Sequence, residues 1–289
     1  MRRQLFLCPL QGTTMFQIQG PVPMEGDVDL SAAGLTEMVT ARSRRSDIVI
    51  REVRWASAFQ MNARLADKYR VGRAFLCGDS AHVHPPTGGQ GLNTSIQDAY
   101  NLGWKLAAVV RGADQSLLDT YEEERRPIAQ DMLGFTTRLL EALKERGDMR
   151  RGREGQQLDL GYAGSSIGLN APAREGRLLA AGDRAPDAPL MGRAGQAVRL
   201  FELLKGPHWT LIGFSTQKSR TLPARKNLRL HRIADDGDVS DADKVFQPTY
   251  GVSPGDWVLV RPDGYVGAIV NEADFSHLEA YMVRMGLGA

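Results

Sequence analysis

The sequence predicts a mixed α/β (α+β) chain, and three observations carry that expectation. Runs of β-branched and aromatic residues between Gly and Pro breaks fill the stretch up to Phe59. Between Gly72 and Val110, a strand-like segment, a loop dense in Gly and Pro, and a long amphipathic stretch follow one another. Beyond Gly182, strand-like and helix-like segments alternate again, as in a small second α/β domain.

Taken in order, "RQLFLCPL", "TTMFQIQGPV" and "DIVIREVRWASAF" read as strands. A short helix is expected over 31–42, with Ser31 as its N-cap. "GRAFLCGD" reads as a buried strand. In the next segment Leu92, Ile96, Ala99, Gly103, Leu106, Ala107 and Val110 share one side at helical spacing, which predicts a helix burying that side, with Gly112 just past its end. A second helix is expected over 117–144, kinked or divided at Pro127. Residues 145–166 are rich in Gly and charge and read as a linker. "WTLIGFS", "NLRLHRI" and "DWVLVRPDGYVGAIV" then read as strands, the last folded back at the Asp263-Gly264 turn. A short helix fits 201–204, and an amphipathic helix fits 275–285. The domain boundaries expected are 1–145, a linker over 146–172, and 173–289.

Composition narrows the class of function. The chain has 289 residues, 42% of them apolar, and a net charge of +2. A nucleic-acid binder concentrates basic charge on one face. The Arg cluster between 146 and 153 is short, mixed with Gly and Glu, and reads as solvated linker. Cys8 and Cys77 stand in no CxxC or metal-ligand spacing, which points to a reducing compartment without disulfides. The opening "MRRQLFLCPLQGTT" is too short and polar for a signal peptide, and no apolar run is long enough for a bilayer. A cytoplasmic protein without membrane or nucleic-acid partners is expected.

The densest chemistry lies in "GDSAHVHPPTGGQGLN", Gly78 to Asn93, which admits three readings. "GDS" with "DFSH" at Asp274 to His277 matches the serine and Asp-x-x-His blocks of GDS-type esterases, with Ser80 as nucleophile. No companion oxyanion block is evident, and the linker separates the two pieces. His82 and His84 could ligate a metal, but no third ligand of suitable type stands nearby. The third reading is a ligand cradle. Pro85, Pro86, Gly88, Gly89 and Gly91 let a ligand approach the backbone, and the helix beginning near Leu92 presents free N–H groups and a positive dipole end. Asp79 at the strand end could accept hydrogen bonds from ligand hydroxyls. The density of Gly and Pro argues against an ordinary strand-to-helix connection.

"GRAFLCGDSAHVHPPTGGQGLNTSIQDAYNLGWKLA" resembles, without gaps, the second FAD motif of the single-component flavoprotein aromatic hydroxylases, the p-hydroxybenzoate and phenol hydroxylase class. "LLDTYEEERRP" resembles the family's next helix. "GDRAPDAPL" and "VLVRPDGYVG" resemble the thioredoxin-like extension of the phenol hydroxylase and polyketide hydroxylase relatives, here without any cysteine. The resemblance implies a partial FAD and substrate domain followed by a thioredoxin-like domain. It implies that Asp79 binds the FAD ribityl chain, that Pro86 lies beside the isoalloxazine, and that the backbone N–H groups of Gly91, Leu92 and Asn93 face flavin N1 and the C2 carbonyl. The implied activity is insertion of one oxygen atom from O2 into an aromatic, phenolic or polyketide-like ring, with FAD as cofactor and NAD(P)H as co-substrate. It assigns no side-chain general base. Phe16, Ile18 and Phe59 are candidates for the substrate pocket or, more simply, for core.

The departure from the family is as informative. Members carry a βαβ unit with GxGxxG, on whose helix start the FAD pyrophosphate rests, and then an Asp-Gly motif. No GxGxxG occurs in this sequence, and the Asp-Gly motif that follows it in the family, between the FAD and nicotinamide regions, is also missing. The chain therefore resembles the C-terminal portion of such an enzyme. Its partner would be a homodimer mate or a complementing N-terminal chain, and the alternatives are a non-catalytic remnant, an interaction module, or the serine hydrolase.

Overall fold

The computed structural model describes residues 5–23, 26–59, 62–85, 89–146, 156–170, 179–217 and 222–288. They fall into two units, residues 1–62 with 138–149, and residues 63–137 with 150–289.

In the first unit, β1 (Phe6–Pro9) and β2 (Phe16–Gln19) form an antiparallel hairpin. The helix α1 (Ala32–Ser43) begins where predicted, with the Ser31 hydroxyl accepting the Gly34 N–H at 3.2 Å. It ends on Arg44 in the left-handed region, whose N–H returns to the Thr40 carbonyl. The segment "DIVIREVRWASAF" is not a strand among the described residues. Its β-branched residues favour extended backbone, but no neighbouring strand pairs with it. Phe16 and Phe59, expected in a pocket or core, are both exposed.

The second unit opens with small antiparallel pairs. β3 (Arg64–Leu65) pairs with β6 (His82–Val83), and β4 (Arg70–Val71) pairs with β5 (Ala74–Phe75). "GRAFLCGD" therefore supplies a two-residue strand that is partly exposed, not the buried strand expected, because among the described residues it pairs with the short β4 alone. The helices α2 (Gly91–Val110) and α3 (Asp119–Arg146) follow. Pro127 does not divide α3. One intrahelical bond is lost at a proline, about 3 kcal/mol, but Tyr121, Arg125, Ile128, Ala129 and Met132 on the same helix are buried and hold it in place.

The rest of this unit is built on one sheet. Its strands are β7 (Leu169–Asn170), β8 (Pro189–Gly192), β9 (Ala197–Arg199), β10 (Trp209–Phe214), β11 (Leu228–Ile233), β12 (Val239–Ser240), β13 (Trp257–Val260) and β14 (Val266–Val270). Their spatial order is β7-β14-β13-β10-β11-β12-β8-β9. β10 and β11 run parallel, while β13 is antiparallel to both β10 and β14. The helices α4 (Leu200–Leu204), α5 (Phe246–Tyr250) and α6 (Phe275–Arg284) complete it. Strands β10, β13 and β14 are buried along their whole length, and their period-two alternation feeds two cores. Trp209, Leu211, Trp257 and Leu259 pack with α6 and with Trp104 and Ala108 of α2. Ile212, Phe214, Val258 and Val260 pack with Leu200, Phe246 and Tyr250.

The helix α2 buries the opposite side from the one predicted. Leu92, Ile96 and Val110 are 73%, 58% and 87% exposed. The buried side carries Thr94, Asp98, Asn101, Leu102, Trp104, Lys105 and Ala108. Helical spacing shows that two sides differ but not which side the chain covers, and here the polar side finds partners for its charges. Lys105 Nζ lies 2.7 Å from Glu124 Oε2, and Arg261 binds both Glu124 oxygens at 2.7 and 2.9 Å. Arg261 also binds Asp263 at 2.6 Å, and Asp263 accepts the Trp104 indole N–H at 2.8 Å. Two cations and two carboxylates thus close into a neutral, buried set, completed by Asn101 and Ser165 as donors to Glu124. Burial pushes the Lys105 amine down to about 8 despite the pull of Glu124. Burial would raise the Glu124 carboxyl, but Arg261 and Lys105 hold it well below its ordinary 4.5.

Removing one partner from such a set leaves a buried charge uncompensated. Glu124→Gln is expected to lower the free energy of unfolding by about 3–5 kcal/mol at neutral pH, read from urea midpoints. Glu124's depressed pKa adds stability that is full above the ordinary 4.5 and fades as pH falls below it. The gap between variant and wild type should therefore narrow on acidification. A gap that stays constant through the acid range would show that another group dominates.

Candidate functional site

The strand end, the turn and the helix start meet at one end of α2. Gly78–Ser80 form a single 3-10 turn. Gly78 sits at φ +62°, and a Cβ there would lie 2.9 Å from Ser95 Cβ, so the turn presses on α2 and admits glycine only. Asp79 is exposed, and its Oδ1 accepts from Ser95 Oγ at 3.4 Å. Ser95 is one helical turn beyond Gly91, so the structure brings Asp79 to the same end of α2 as Gly91, Leu92 and Asn93.

The Gln90 side chain makes no cap to the α2 backbone, and among the described residues no side chain caps the N–H groups of Gly91, Leu92 and Asn93, which are left for an acceptor. Leu92 and Asn93 are exposed, and Asn93 Nδ2 donates to Gln90 Oε1 at 3.1 Å. Gly91 is not in a left-handed conformation, and a Cβ there would meet His84 Cε1 at an ordinary 3.4 Å. The fold itself therefore does not require glycine at 91. Pro86 lies outside the described residues. The exposed Asp79 carboxylate and the uncapped helix start fit the ribityl hydroxyls and the acceptor edge of a flavin.

Behind the turn lies a network that the sequence did not reveal. Asp98 is fully buried in α2. Its Oδ2 accepts the Gly78 N–H at 3.3 Å and lies 2.7 Å from His82 Nε2, while its Oδ1 accepts Arg125 Nε at 2.7 Å. Arg125 also donates to the Tyr162 hydroxyl at 3.2 Å and to the Thr94 carbonyl at 3.3 Å. The His82 and His84 rings stack in parallel, with centroids 6.1 Å apart. The available signal was a set of polar residues, Asp98, Asn101 and Lys105, repeating at helical spacing on one side of an otherwise apolar helix.

The other two readings of the loop find no geometry. The Ser80 hydroxyl accepts the Cys77 N–H at 3.0 Å and donates to the Cys77 carbonyl at 2.9 Å, so it is engaged within its own turn. His277 is exposed, 3.6 Å from Asp274. His82 Nε2 faces Asp98, and among the described residues no group of three or more His, Cys, Asp or Glu could hold a metal ion. Two glycines separate local strain from ligand approach. Gly78→Ala should cost about 1–3 kcal/mol of stability, measured by thermal unfolding, whereas Gly91→Ala should leave the melting temperature unchanged or higher.

Known proteins match this chain over most of its length. Residues 7–136 match the FAD binding domain family, and residues 179–286 match the C-terminal family of aromatic-ring hydroxylases. A flavin-dependent monooxygenase of Mycobacteroides abscessus is 42% identical over 278 residues, which is 96% of this chain and 53% of that protein. The 6-methylpretetramide 4-monooxygenase of Streptomyces rimosus is 33% identical over 266 residues, covering 79% of this chain and 47% of that one. Among solved structures, aklavinone-11 hydroxylase in complex with FAD and aklavinone superposes with a TM-score of 0.69 at 26% identity, covering 89% of this chain and 51% of that one. The chain thus spans about half the length of the curated relatives it matches. Matched along nearly its whole length, it belongs to the FAD-dependent aromatic hydroxylase family.

Proposed function

We propose that this chain forms the flavin-ring side of an FAD-dependent monooxygenase that hydroxylates an aromatic, polyketide-like substrate with NAD(P)H and O2. The observation that carries the reading is the meeting of the exposed Asp79 carboxylate and the uncapped start of α2 within an ungapped family motif. In it, Asp79 accepts hydrogen bonds from the ribityl hydroxyls, Pro86 lies against the ring, and the N–H groups of Gly91, Leu92 and Asn93 meet flavin N1 and the C2 carbonyl. Those N–H groups and the helix dipole favour negative charge at that edge. FAD, when bound, supplies the redox chemistry that passes electrons from NAD(P)H to O2, and the chain supplies position and electrostatics.

Two further features support the proposal. The exposed apolar side of α2, with Leu92, Ile96, Tyr100 and Val110, is a surface that a pyrophosphate-binding segment, in the same or a separate chain, would cover. Strands β10 and β11 in parallel, β13 and β14 antiparallel beside them, and the closing α6 support a thioredoxin-like reading of the C-terminal region. With no cysteine after Cys77, that region would be redox-inactive.

The test is a flavin titration followed by fluorescence. This chain by itself, lacking GxGxxG, should bind FAD more weakly than about 1 µM, near −8 kcal/mol. Asp79→Ala should raise the dissociation constant by about 10- to 100-fold, since hydrogen bonds to a charged group contribute about 1.5–3 kcal/mol. Unchanged affinity in Asp79→Ala would refute the assignment. Ser80→Ala should bind flavin as the wild type does, and neither protein should cleave p-nitrophenyl acetate.

A further inference from the structure

We propose that Asp98 is the positioning residue of the flavin turn. One buried carboxylate, balanced by Arg125, clamps both ends of the loop from Gly78 to His82 onto the helix whose first turn forms the other half of the site. The proposal rests on the flavin reading above, but its geometry does not.

The loop has two ends, and Asp98 Oδ2 holds both. At one end it accepts the Gly78 N–H at 3.3 Å. Gly78 is directly followed by Asp79, so this bond sets where the ribityl-binding carboxylate leaves the backbone. At the other end the same oxygen lies 2.7 Å from His82 Nε2. His82 carries His84 by parallel stacking, and His84 in turn borders Gly91 at the start of α2. The clamp thus spans Asp79, His84 and Gly91, while Asp98 is on the buried side of α2 and its side chain has no exposure. It acts through the turn and touches no ligand.

A buried carboxylate without a counter-ion would be costly. Arg125 removes that cost. Its Nε binds the second oxygen, Oδ1, at 2.7 Å, with both side chains fully buried. Its remaining N–H groups are directed by the Tyr162 hydroxyl and the Thr94 carbonyl, which fix the guanidinium plane. One oxygen is thereby left for the loop and one for the counter-ion. An amide at this position would lose that division, because its NH2 group would face a donor.

The test uses the full chain labelled with nitrogen-15, with three variants. Asp98→Asn should speed hydrogen exchange at the Gly78 amide by about 10- to 100-fold, the range of one lost bond to a charged acceptor. It should also shift the His82 ring signals and weaken FAD binding by a similar factor. Arg125→Lys keeps a buried cation and should give the same changes to a smaller extent, which keeps the idea testable if Asp98→Asn fails to fold. Glu124→Gln is the control. It disturbs the neighbouring charge set and should lower stability without altering Gly78 exchange or the His82 signals. If Asp98→Asn loses only global stability, with Gly78 exchange and flavin affinity scaling as they do in Glu124→Gln, the positioning role is overturned. If Asp98→Asn loosens the turn as expected but added FAD perturbs neither Asp79 nor the amides of 91–93 in the wild type, the clamp stands and the flavin reading fails.

Discussion

The second unit depends on two consecutive residues of α3 with opposite charge. Glu124 and Arg125 are both buried, and successive helical positions point about 100° apart. Glu124 therefore reaches Lys105 near the end of α2 and Arg261 beside the β13–β14 turn, while Arg125 reaches Asp98 near the start of α2. Neither charge could be buried alone, since an unpaired ion in a low dielectric is prohibitively unfavourable. Each is tolerated because α2 presents a complementary partner at the right helical spacing. The polar side of α2 faces inward for this reason, and its apolar side is left to solvent. The same contacts bind the flavin-motif helices to the C-terminal sheet. Arg261 lies 5.0 Å from both the Trp104 and Tyr162 rings, so the cation that closes the charge set also supports the aromatic packing.

Much of the C-terminal sheet was legible from sequence because its signals are local. The runs at 209–214, 257–260 and 266–270 are largely apolar, 228–233 opens with alternating apolar and polar residues, and Asp263-Gly264 marks the turn, with Gly264 at φ +80°. Ser31 was readable as a cap for the same reason. The errors arise where tertiary context decides. An apolar stripe on α2 shows periodicity but carries no information about which side will be covered. Pro127 marks a helix break only where packing does not outweigh it. The extended segment around Val49 has strand propensity and no partner strand among the described residues.

The site divides in the same way. Asp79 and the glycine-rich start of α2 stand out in the sequence because a cluster of Gly and Pro beside a carboxylate is a local signal. Asp98, Arg125, Glu124 and Arg261 were not, since each resembles an ordinary surface charge until its partner is known, and those partners are up to 137 residues apart. The sequence gives no measure of that distance. Only the repetition of Asp98, Asn101 and Lys105 on one helical side hinted that this polar surface had a purpose inside the molecule.

The placement of the four tryptophans has an optical consequence. Trp104, Trp209 and Trp257 are buried in the second unit, at 7%, 1% and 1% exposure, while Trp55 in the first unit is 83% exposed. The three interior indoles emit from surroundings shielded from water, with Trp104 and Trp209 edge to face at 5.3 Å and Trp104 bonded to Asp263. Trp55 emits from water. The blue edge of the intrinsic fluorescence therefore belongs to the second unit, and its loss during unfolding reports that unit without any added dye, over the steady red background of Trp55.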